Sequence, residues 1–100
     1  MYNGELQQGI WDRTEYIKRN VRLGLDLQLQ GYHDKSHELS DRARIFYSQA
    51  RLAGLSLRRL LAKANPNFLK RQKLTSSVHD AESSLEMACQ EVIGLGLAET

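Results

Sequence analysis

Apolar residues recur along the second half of this chain in alternating steps of four and three. Leu39, Ala43, Phe46, Ala50, Ala53 and Leu57 form one such series, and Leu74, Val78, Ala81, Leu85, Ala88 and Val92 form another. This is the heptad spacing that holds one face of a helix against a partner helix. The two series also mirror each other. Pairing Leu39 with Val92, Ala43 with Ala88 and so on to Leu57 with Leu74 gives residue numbers that always add to 131. A constant sum is the signature of an antiparallel pair, and its midpoint falls on Asn65-Pro66. The pattern predicts an αα-hairpin over 36–93 in which large and small layers alternate.

Ahead of the hairpin, Ile10, Thr14, Ile17, Val21, Gly24 and Gln28 keep the same rhythm, and against Leu57 through Leu39 they add to 67. Thr14, Gly24 and Gln28 are poor core residues, so this second antiparallel pairing is the weaker of the two. Leu23, Leu25, Leu27 and Leu29 alternate with Gly24, Asp26 and Gln28, a strand-like pattern. No other segment alternates to pair with it, and leucine and glutamine favour helix. Helices are therefore expected over about 5–30, 36–64 and 67–93, with a frayed tail over 94–100. Ser36 and Asn67 are the expected N-caps, and Pro66 the stop for the second helix. The expected architecture is all-α, one domain over 1–100, an up-down-up three-helix bundle built on the hairpin.

More apolar surface is present than such a core uses. Tyr16, Leu23 and Leu27 form a second stripe on the first helix, with Asn20 among them, and Ile45, Leu52 and Leu55 point away from the seam of the second. Stripes at helical spacing predict a further helix docking there, from another copy or from a partner protein.

Composition adds three things. The single cysteine, Cys89, rules out an internal disulfide and is expected as a small core residue beside the seam. No run approaches the ~20 apolar residues of a membrane span, and the first twenty residues lack a secretory apolar block, so a cytoplasmic protein is expected. The net charge of +2 conceals a partition. Residues 42–79 hold nine bases and no acid, whereas residues 80–100 hold five acids and no base.

Candidate chemistry is sparse. His33 and His37 are four apart but straddle the expected helix start, and in the hairpin His79 lies more than ~20 Å away at 1.5 Å per residue. Neither a metal site nor a cofactor is expected. Phosphate loops, nucleophile elbows and cysteine–histidine pairings are all missing from the sequence, so no catalytic residue is proposed and an enzyme is not expected.

The window Gln49 to Leu61, with Ala50, Gly54, the Leu55-Ser56 pair and Leu57, resembles the helix-turn-helix of MerR-type regulators. The resemblance covers thirteen residues and implies a turn at Gly54, with Arg58 and Arg59 at bases or phosphates. The competing reading is a continuous helix with Gly54 on its surface, since the heptad runs unbroken through the supposed turn. Around Asn65-Pro66, Arg58, Arg59, Lys63, Lys70, Arg71 and Lys73 crowd together beside Phe68 and Leu69. Lys70 and Arg71 in the first turn of a helix would oppose its dipole. Such a tip suits a polyanion: nucleic acid, acidic lipid headgroups at a membrane surface, or an acidic protein surface. The leading expectation is a non-enzymatic interaction or adaptor module that self-associates or binds a partner helix, with a nucleic-acid-binding regulator and a membrane-surface binder as alternatives.

Overall fold

The computed structural model describes the backbone of residues 3–94 and the side chains of residues 4–90. The described chain is all-helical: α1 (Asn3–Asp34), α2 (His37–Leu61), α3 (Pro66–Arg71) and α4 (Thr75–Gly94). The strand-like leucines lie inside α1, whose turn sends Leu23 and Leu29 to solvent while Leu25 and Leu27 pack against the core.

The helix boundaries follow from local chemistry. Ser36 caps α2 by accepting the Leu39 N–H at 3.3 Å. At the other end of the connection, Lys35 takes a left-handed conformation (φ 53°). The Ser36 N–H reaches the Gly31 carbonyl at 2.8 Å, closing α1 with a Schellman motif. Two residues thus turn the chain from α1 into α2.

The expected third helix is two helices. α2 ends at Leu61, and Asn65, not Asn67, caps the next element by accepting the Phe68 N–H at 2.7 Å. Pro66 stands at the start of that element, where its missing N–H has no helical partner to lose. α3 stops after one and a half turns in a second Schellman motif. Lys73 is left-handed (φ 57°), and the Leu74 N–H bonds to the Leu69 carbonyl at 2.9 Å. The break has a sequence signal. Carried back from Leu74, the heptad falls on the polar residues Arg71 and Asn67, whereas Phe68 and Leu69 lie out of phase. α4 then resumes the rhythm.

The core lies along α1. Every residue of its heptad is buried, Ile10, Thr14 and Ile17 completely. On α4 the buried positions are Val78, Ala81 and Ala88 with Leu74 before them; Val92 lies outside the described side chains. On α2 they are Ala43, Tyr47, Ala50, Gly54 and Leu57. Tyr47 and Gly54 thus replace Phe46 and Ala53, a rotation by one residue that brings the larger ring and the smaller backbone to the seam.

The pairing of helices corrects the expected hairpin. α1 lies against α2 along its length, and α4 lies mainly against α1 with a lesser contact to α2. Along the α1–α2 seam, Gly9 meets Leu60, the Arg13 Nε donates to Ser56 Oγ at 2.8 Å, Gly24 meets Tyr47 and Gly31 meets Ser40. The two helices therefore run in opposite directions, displaced from the expected register by two residues at Gly9 and Arg13 and by four, about one turn, at Gly24 and Gly31. Between α2 and α4, the close neighbour of Gly54 is Leu85, not Ser77 as the 131 pairing requires. Eight residues of α2 and α4 pairing have been lost to α3 and its turns.

Buried polar side chains in α1 are satisfied. Thr14 Oγ1 donates to the Trp11 carbonyl at 2.8 Å and Asn20 Nδ2 to the Tyr16 carbonyl at 2.8 Å. The Tyr47 hydroxyl donates to Gln28 Oε1.

Candidate functional site

Three surfaces hold the candidate residues. The first is the groove that α4 leaves by packing on α1 in preference to α2. It encloses about 470 Å³. Arg51 and Arg58, seven apart on α2, form one wall, and Glu82 and Glu86, four apart on α4, form the other. Gly54, Leu57 and Leu85 make an apolar floor, with Leu55 at the rim. Among the described residues the ion pairs are Lys18–Glu15 at 2.6 Å and Arg42–Glu38 at 3.4 Å, so the facing charges of the groove do not bridge it. Cys89 also lines this groove and is exposed, so it is not a core residue. The heptad marked Cys89 as adjacent to the seam; the missing information was that α2 stands away from that edge of α4.

The second surface is the back of α2. Ile45, Leu52 and Leu55 are 58%, 66% and 48% exposed. On α1, Tyr16 and Leu23 remain exposed, whereas Leu27 is half-buried against the core and Asn20 is buried. The stripe expected on α1 is therefore narrowed to two residues, because the seam with α2 takes the other edge.

The third is the basic end. Arg58 and Arg59 occupy the last turn of α2, Lys70 and Arg71 the last turn of α3, and all six bases with Lys63 and Lys73 are exposed. Phe68, expected beside them on the surface, is 5% exposed and belongs to the core, with Leu69 partly buried. The helix dipole also reads differently from the expectation. Lys70 and Arg71 stand at the C-terminal end of α3, where positive charge is favoured. On α1, Asp12 accepts a hydrogen bond from Gln8 at 2.7 Å.

α2 is continuous through residues 49–61, so the helix-turn-helix has no turn. Gly54 is not a surface glycine either; it is buried, and a Cβ there would stand 2.7 Å from Leu85 Cδ1. The glycine lies inside an unbroken helix, where α2 meets the Leu85 side chain of α4.

His33, His37 and His79 are all exposed, and the described residues contain no cluster of three or more His, Cys, Asp or Glu side chains able to hold a metal ion. Among them no helix is long and apolar enough to cross a membrane. Comparison with family models, curated proteins and solved structures finds no match to this chain.

Proposed function

We propose that this chain is a non-enzymatic helical interaction module whose α2 receives a helix from another copy or from a partner protein. The supporting observation is the state of α2. Only α1 covers it along its length, and Ile45, Leu52 and Leu55 stay about half exposed or more on a helix that also borders an open groove. Burying a leucine fully is worth roughly 1.5–3 kcal/mol, so three such residues on one helix reward a covering partner. Sedimentation equilibrium on the full chain tests this. A mass that rises with concentration supports self-association. Ile45→Glu with Leu52→Glu should then lower the mass with no loss of helicity. A wild-type monomer that also binds no amphipathic helical peptide would overturn the reading.

A second reading rests on the basic end, where six exposed cations have no acid within 4 Å among the described residues. Such a surface favours a polyanion, held through charge and weakened steeply by salt. Burial of Phe68 removes the apolar contact that a membrane surface would use, and continuity of α2 removes the groove-reading turn. Nucleic-acid phosphate is thus the better supported partner in this reading. Reversing Arg58, Arg59, Lys70 and Arg71 should abolish retention on heparin; elution at the wild-type salt concentration would reject it.

A further inference from the structure

The walls of the α2–α4 groove carry opposite charges that do not meet each other. Arg51 lies three residues before Gly54 and Arg58 four after it, while Glu86 follows Leu85 by one and Glu82 precedes it by three. Gly54 and Leu85 touch, which fixes the level of one helix against the other. At ~1.5 Å per residue, Arg58 and Glu82 both stand toward α3 from that contact, by about 6 and 4.5 Å, and Arg51 and Glu86 both stand away from it, by about 4.5 and 1.5 Å. Each arginine therefore shares a level with one glutamate.

We propose that this groove receives a second copy of the chain, packed about a two-fold axis parallel to the groove, so that Arg51 and Arg58 of each copy face Glu82 and Glu86 of the other. This rests on the self-association reading above but moves the contact from the back of α2 to the groove; of the three exposed residues Ile45, Leu52 and Leu55, Leu55 alone borders both surfaces. Rotation about such an axis lays α2 over α4 of the other copy and leaves every level unchanged. Arginine then meets glutamate on both sides of the Gly54–Leu85 level, along each of the two α2–α4 seams. An axis across the groove would instead stack α2 on α2, arginine on arginine. Charge thus selects one of the two symmetric arrangements, which is the usual contribution of interfacial charge to partner choice and register. The apolar floor and the Leu55 rim supply contact area. The groove itself extends over residues 51–58 and 82–89, about 10 Å at 1.5 Å per residue, and the flanking lengths of α2 and α4 would supply the rest of the ~1,200 Å² that a stable interface needs.

The test is a charge exchange on the full chain, read by sedimentation velocity with circular dichroism to confirm folding. Wild type should dimerise at high micromolar concentration and low salt. R51E/R58E alone and E82R/E86R alone should each dissociate about tenfold or more readily, because each sets like charges together. Mixing the two variants should restore a dimer, since each interface then joins opposite charges, and the variant carrying all four changes should self-associate as wild type does. A wild-type monomer overturns the proposal and the self-association reading together. A wild-type dimer that neither variant weakens, or two dissociated variants that do not recombine, overturns the groove while leaving self-association to another face.

Discussion

One edge of the Tyr47 ring occupies the space that a Cβ at Gly24 would need, with Cε1 2.5 Å from that position. One turn further along α1, Gln28 accepts the ring's hydroxyl hydrogen bond. Two weak core residues of α1 thus have one reason: together they form the notch and the acceptor for a single tyrosine. Gly24→Ala must displace a buried ring. Overpacking at about 1–3 kcal/mol should exceed the roughly 1 kcal/mol gained in helix propensity, giving a net loss. Tyr47→Phe keeps the notch filled but removes the donor to buried Gln28, a loss of about 1–3 kcal/mol. Urea midpoints of the two variants check both.

Gly54→Ala is expected to behave in the opposite way. Its new Cβ would meet only the Leu85 side chain, tightly at Cδ1 alone, the far end of a half-buried side chain beside an open groove. Leu85 can turn aside, so the propensity gain of up to about 1 kcal/mol should survive. Thermal melts should show unchanged or higher stability, with helicity no lower than wild type. A loss of helicity would show that the chain needs a turn at Gly54.

Lys35 and Lys73 each close a helix in the left-handed region without being glycine. That conformation costs an L-residue about 1–2 kcal/mol, and glycine recovers it less the roughly 0.4–1 kcal/mol of extra freedom it gives the unfolded chain. Lys35→Gly and Lys73→Gly should each stabilise the protein by roughly 0.5–1 kcal/mol in denaturant titration. An unchanged midpoint for both would place the two turns outside the left-handed region.

Ala50 and Ala81 are fully buried, whereas Leu52 is 66% exposed. Ala50→Leu and Ala81→Leu should each cost about 1–3 kcal/mol by overpacking. Leu52→Ala, measured in dilute solution where no partner covers it, should stay within about 0.5 kcal/mol of wild type. Equal effects from all three would mean that the heptad faces are wrongly assigned.

These variants probe features that the sequence disclosed unevenly. Periodicity identified which face of α1 and α4 is buried, because a 3.5-residue repeat is a property of one helix alone. It erred by a residue on α2, where Phe46 and Tyr47 are both aromatic and only the Gly24 notch decides between them. Pairing was less legible still. The mirror symmetry about Asn65-Pro66 is a property of numbering, and the turn at Lys73 removes the residues that would have kept it in step. The basic end was visible as a charge run, but whether Phe68 stands beside it or beneath it depended on that same turn. The groove had no sequence signal, since it arises where α4 leans toward α1.

The short link at Lys35-Ser36 has a further consequence for how tightly each part of the molecule is held. α1 and α2 find each other across a two-residue connection, so little loop-closure entropy opposes their meeting. α4 reaches α1 only after the whole of α2 and α3, and its described buried face is mostly small: Ala81, Ala88 and Val78, with Leu74 at its foot. Release of α4 is therefore the least demanding partial opening of the molecule, and the α1–α2 pair the last part to open. Native-state hydrogen exchange should show amides in the middle of α4 exchanging before those at Ile17 to Gly24. Simultaneous exchange would mark the three long helices as one cooperative unit.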